Sequence, residues 1–135
     1  MSKISDVCQS VVNDVDGGLA CSVIDLTSGL MLGTAHKVPY FSQTYMDAVA
    51  AAAVEMFRGK NVRVVEKLLS QQRGEPVENS IEEMQMSTKG TYHFMSIVPD
   101  KPTALVVLVT TRAANLGMGW NAVRRSLVEI APHCP

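Results

Sequence analysis

This sequence has no surplus of charge. Lysine and arginine number 12 against 13 for aspartate and glutamate, a formal net of −1. A general attraction to nucleic acid or to an anionic membrane ordinarily needs a basic face, so neither is expected as a partner. Cysteine is scarce: Cys8, Cys21 and Cys134 form no CxxC and leave an odd count. That excludes a disulfide framework and fits a reducing cytosol. The N-terminal stretch MSKISDVCQSVV has no basic leader followed by a long apolar run. No apolar run approaches the roughly 20 residues of a membrane helix. The expectation is a soluble cytoplasmic chain without membrane insertion.

Sites for chemistry are missing too. Neither GxxxxGK[ST] nor GxGxxG occurs, so no loop is built to cradle a nucleotide phosphate. His36, His93 and His133 are scattered, and no further ligands accompany them as a metal site requires. Cys8 and Cys21 fall on apolar faces and Cys134 in a tail, where buried or incidental thiols are the plain reading. No catalytic residue, cofactor or metal is expected.

What is present is pattern. Ile4, Val7, Cys8, Val11 and Val15 recur at helical spacing, and Asp16-Gly17-Gly18 stops the helix. Ala20–Leu26 and Leu30–His36 flank Thr27-Ser28-Gly29 as a hairpin, with Asp25 fixing the turn. The first of these strands is apolar on both faces and belongs inside a sheet. Gly33 marks a bulge or a close approach.

The stretch Ser42–Met56, SQTYMDAVAAAAVEM, organises the rest. Ser42 is a good N-cap, and Phe41 and Met46 are spaced as a hydrophobic staple. Ala48, Val49, Ala52, Ala53 and Met56 form one stripe, with Ala50, Ala51 and Val54 at its side. Such a helix is slim on every flank, so a second helix can approach it closely.

A second helical stretch, Val62–Gln72, is expected to turn Val62, Val65, Leu68 and Leu69 inward. After the polar loop Arg73–Asn79 come strands Ser80–Thr88, Thr91–Val98 and Thr103–Thr110. The last is apolar on both faces and suits a central position; the first bears glutamates and suits an edge. Asn115 caps a final helix, Leu116–Ile130, whose stripe is Leu116, Trp120, Val123, Leu127 and Ile130. The order α-β-β-α-β-β-β-α implies an α/β sandwich (α+β) as one domain over 1–135, with its core at about 15–130. Its five-stranded antiparallel sheet carries the middle helix on one face and the terminal helices on the other.

These features together resemble the roadblock family, also called dynein light chain roadblock or MglB-like. The matching residues are GGLACSVIDLTSGL, the alanine-rich helix after it, IEEMQMSTKGTYHFMSIV, and TALVVLVTTRAANLGM leading into the last helix. The resemblance implies a profilin-like fold and no enzymatic activity. It implies homodimers joined through the third strand and the middle helix. It also implies binding or regulation of a small Ras-like GTPase, or a light-chain or scaffold role in another complex.

The residues meet this at two places, the edge strand and the small residues of helix 42–56. An edge strand leaves unpaired N–H and C=O groups that a second copy can satisfy. The candidate interface is therefore Tyr45, Ala48, Val49, Ala52, Ala53 and Met56 of helix 42–56, with Ile81, Glu83, Met84, Gln85 and Met86 of strand 80–88. Two readings stay open for the cations Arg58, Lys60, Arg63 and Lys67 and the anions Glu75, Glu78, Glu82 and Glu83. They complement one another across a dimer or a partner, or they are simply solvated. A profilin-like sensor holding a small molecule between sheet and helix is the remaining alternative.

Overall fold

The computed structural model describes residues 3–135. Chain order runs α1 (Lys3–Asp14), β1 (Gly18–Asp25), β2 (Met31–His36), α2 (Gln43–Arg58), α3 (Lys60–Arg73), β3 (Glu83–Ser87), β4 (Thr91–Val98), β5 (Lys101–Thr111) and α4 (Leu116–Ile130). A 3₁₀ turn, Ala131–His133, follows. The five strands form one antiparallel sheet in the order β2-β1-β5-β4-β3. β5 is central and β3 an edge, as the apolar runs and the glutamates predict.

Two cores sandwich the sheet. On one face Ile4, Cys8, Val11 and Val12 of α1 and Val123, Leu127 and Ile130 of α4 pack on Cys21, Val23, Phe94, Val106 and Leu108. On the other, Met46, Ala50, Ala53 and Phe57 of α2 pack on Ala20, Ile24, Met95, Leu105 and Val107. Neighbouring strand residues alternate between the two cores, the period-two rule of a pleated sheet.

Local signals act as read. Ser42 Oγ accepts from Tyr45 N–H at 3.2 Å, and Asn115 Oδ1 from Met118 N–H at 3.0 Å. The staple residues Phe41 and Met46 join the same core. Asp25 Oδ1 accepts from Thr27 N–H at 2.9 Å within the β1–β2 turn. Gly33 serves both purposes expected of it. The β1–β2 register slips beside it, and a Cβ there would lie 2.6 Å from Ile4 Cγ2, so α1 rests directly on its backbone.

Several expectations need correcting. The row that α2 buries is Met46, Ala50, Ala53 and Phe57, because the helix runs past Met56 and Phe57, the next residue, anchors it in the core. Ala50, expected at the side, is fully buried, whereas Ala48 and Ala52 are exposed. The second helical stretch, read from Val62, begins at Lys60, directly after Gly59, whose extended conformation ends α2. Val65 and Leu68, expected inward, are 55% and 54% exposed; the buried residue of α3 is Glu66. The reason is that α3 lies against a loop, where hydrogen bonds rather than an apolar sheet face fix its orientation. β3 is shorter than 80–88, since the preceding residues follow that loop. Leu116 and Met118, in the first turn of α4, are 41% and 52% exposed, and burial of the helix begins at Gly119.

Candidate functional site

The site is built on the border strand β3. Thr88 N–H donates to Thr91 C=O at 2.9 Å, and Ile97 N–H donates to Glu82 C=O at 2.8 Å. The β3–β4 register runs without a shift between these contacts. In an antiparallel ladder, residues directly opposite alternate between bonded and non-bonded pairs. The even-numbered residues of β3 therefore direct their backbone groups at β4. Glu83, Gln85 and Ser87 direct theirs outward, where no strand among the described residues meets them.

Side chains alternate the other way. Met84 packs on the α2 side. Glu83 lies on the α4 side, where its carboxylate meets Arg124 at 3.2 Å and the Arg124 guanidinium covers the Trp120 ring. Gln85 Nε2 donates to Ser87 Oγ at 2.9 Å. Met86 is 37% exposed, and Ile81 is half-buried just ahead of the strand.

On α2, Tyr45 stacks on Phe41 with centroids 4.9 Å apart. Val49 and Met56 are half-buried, while Ala48 and Ala52 are exposed. Helical spacing puts Tyr45, Val49, Ala52 and Met56 on one flank of the buried row. The structure thus brings Tyr45, Val49, Ala52, Met56, Met84 and Met86 to one side of the sheet. Ala53 is 1% exposed under its own helix and is closed to any partner.

Cys8, Cys21 and Cys134 are free and buried. The hydrogen bond from Cys8, together with burial, pushes the Cys21 thiol well above its usual range. Burial also raises Cys134, although Lys101 opposes it. Such thiols are protonated at neutral pH and poor nucleophiles. Among the described residues no three His, Cys, Asp or Glu side chains gather as a metal site. No helix among them is long and apolar enough to cross a membrane. Between α2 and the sheet, Tyr45, Val49 and His93 help line a cavity of about 20 Å³. That is room for one water, not for a metabolite.

Sequence reasoning missed the anchoring of α3. Glu66 is 6% exposed, and its carboxylate accepts from Ser80 N–H at 2.7 Å and Ser80 Oγ at 2.6 Å. Ser70 Oγ accepts from Val77 N–H at 2.7 Å. Burial raises the Glu66 pKa, but the bonds from Ser80 and Asn79 and the Arg58 charge outweigh it and hold the carboxyl below its ordinary value. One signal was available: Glu66 lies between Val62 and Ser70 at i±4, on the face that turns in.

No family model matches the sequence. No curated protein matches it either. Solved structures do. MglB of Myxococcus xanthus superposes with a TM-score of 0.71 at 14% identity, over 98% of this chain and 94% of that one. The chain has the Roadblock/LC7 fold. A Roadblock/LC7 domain from Streptomyces avermitilis matches at 0.72 and 13% identity, over 98% of each chain. An MglB with a tetrameric arrangement matches at 0.72 and 17%, over 96% of this chain and 86% of that one. At such identities the likeness is one of Roadblock/LC7 architecture, reached here through a sandwich whose border strand stands open.

Proposed function

We propose that this chain is a non-enzymatic homodimer that binds and regulates a small Ras-like GTPase. The observation that carries the reading is the open border of β3 beside the thin flank of α2. A strand that presents three residues of unsatisfied backbone is a template for another strand, and a second copy supplies one. Similarity to MglB structures supports a role beside a small GTPase, as does the resemblance of the sequence motifs.

The geometry of such a pair follows from the ladder. Outward-facing residues must meet outward-facing residues, so only odd positions pair through hydrogen bonds. The register that joins all of Glu83–Ser87 is centred on Gln85 and sets Met84 opposite the partner's Met86. Charge favours the antiparallel sense. Glu78 and Glu82 lie before β3, whereas Lys89 and Arg112 lie at its other end, where Arg112 donates to Thr88 C=O at 2.8 Å. Antiparallel strands bring acid to base; parallel strands would bring like to like.

Light scattering over a dilution series tests the dimer. A pull-down of candidate GTPases loaded with GDP or a GTP analogue tests the partner. Capture that depends on the nucleotide supports the regulator. Capture indifferent to nucleotide makes the chain a scaffold subunit instead.

A further inference from the structure

We infer that Cys8 and Cys21 are a dithiol that a hydroperoxide converts to a disulfide, fastening α1 to β1. The bond makes the seating of α1 responsive to oxidant. The inference stands apart from the homodimer and GTPase reading, since α1 covers the sheet face opposite α2.

The fold drives the two sulfurs together. Ile4, Cys8 and Val12 recur at i+4 on the buried face of α1. The first turn of the helix rests on the backbone of Gly33, where a Cβ would lie 2.6 Å from Ile4 Cγ2 and 2.9 Å from Ser5 N. Its last turn rests on Gly18, where a Cβ would lie 2.5 Å from Val12 O. Glycine at both supports lets the helix lie closer to the strands than side chains ordinarily allow. Gly33 pairs with Val23, so along β1 the supports stand at Gly18 and Val23, and Cys21 lies between them. Cys8, midway between Ile4 and Val12, meets it there. Both residues are 0% exposed in one core, and their thiols are hydrogen-bonded. Cys134 is engaged elsewhere, its thiol donating to Ile130 C=O at 3.5 Å.

While α1 is seated, both sulfurs are closed to solvent and inert. The helix joins β1 through the short turn 15–17, so it can lift without breaking the strand ladder. Local opening of this kind costs less than global unfolding. Lifting exposes both thiols. One sulfur attacks a peroxide oxygen; the O–O bond breaks, water leaves and a sulfenic acid remains. On reseating, the second sulfur attacks the first. The S–O bond breaks, and hydroxide departs with the proton of the second thiol as another water. Two electrons thus pass from the sulfurs to the peroxide. The new bond closes the loop between residues 8 and 21 and withdraws the lifted state, until a thiol reductant restores it.

The test exposes the full chain to hydrogen peroxide in slight excess and then alkylates the remaining thiols. Cleavage before aspartate separates Cys8, in residues 6–13, from Cys21, in residues 16–24. The expected result is one linked pair of these peptides, absent after dithiothreitol, and a melting temperature raised by about 5 °C or more. Cys134→Ala should respond as the wild type does; Cys8→Ala and Cys21→Ala should show no rise on treatment. Unlinked peptides after an exposure longer than the amide exchange of α1 overturn the inference. So does sulfinic acid at either residue in place of the bond, or a link to Cys134 or between chains. A link that forms only under conditions where β1 and β5 exchange as well would mark global unfolding rather than lifting of α1, and equally overturns it.

Discussion

The carboxylate of Glu66 holds Ser80 twice, at 2.7 Å through the backbone N–H and 2.6 Å through the hydroxyl. One side chain thus ties α3 to the segment that leads into β3. Glu66→Ala removes the charged acceptor shared by both Ser80 donors and should cost about 1.5–3 kcal/mol, the contribution of a hydrogen bond to a charged group. Hydrogen exchange should quicken across 74–82 first, leaving β4 and β5 protected. The folded-state pKa of Glu66 lies below its unfolded value. Its contribution is therefore complete above an unfolded pKa of about 4.3 and disappears as pH falls through the folded value. A pH series of denaturant midpoints should show this loss in the wild type and not in Glu66→Gln.

His93 gives a second pH dependence, nearer neutrality. Burial disfavours its charged form and sets its pKa below the ordinary value. The unfolded chain then binds more protons between the two values, so stability is present above an unfolded pKa of about 6.5 and declines as pH drops below it. His93 Nε2 lies 2.9 Å from Thr91 Oγ1, and Gln in its place can keep that bond. His93→Gln should flatten melting temperature between neutral and mildly acidic pH; an undiminished slope would assign it to another group.

Assembly answers to backbone chemistry. Gln85→Pro removes an outward N–H at the centre of the proposed pair without touching the β4 ladder, because odd residues of β3 do not bond to β4. Dilution should then give monomers of native circular dichroism. Ala52→Arg, on the exposed flank of α2, should also weaken the dimer, by about 1–3 kcal/mol through overpacking. Unchanged mass on dilution for both variants would sink the interface.

The α4 face is governed by Gly119. A Cβ at this position would lie 2.5 Å from Phe94 Cζ, in the middle of a core where Phe94 also meets Trp120 edge-on with centroids 5.4 Å apart. Gly119→Ala is expected to destabilise the monomer by about 1–3 kcal/mol despite the better helix propensity of alanine. Thermal melts check it: a raised melting temperature would mean that Phe94 yields more easily than the packing suggests.

The elements were legible because each is specified within a few residues. Ser42 and Asn115 cap by reaching N–H groups three residues on, and β1 and β5 are apolar on both faces wherever they are placed. The orientation of α3 was not legible. Its valines and leucines scan as an inward stripe that outweighs the spacing of Glu66 and Ser70, and the Ser80 donors that draw Glu66 in lie 14 residues further along the chain. The interface on α2 was legible by composition but not by face. Whether Ala52 or Ala53 points outward depends on the rotation of the helix about its axis, and Phe57 sets that rotation from one turn beyond.

The sequence alone determined the elements, their layering and the border position of β3, since caps, turns and hydrophobic period act over a few residues or along one strand. Only the tertiary structure decided which backbone groups of β3 stay open, that Ala53 is sealed, and that Glu66 rather than Leu68 turns inward. Those outcomes depend on which surfaces meet, and such contacts join residues far apart in the chain, where no local pattern can record them.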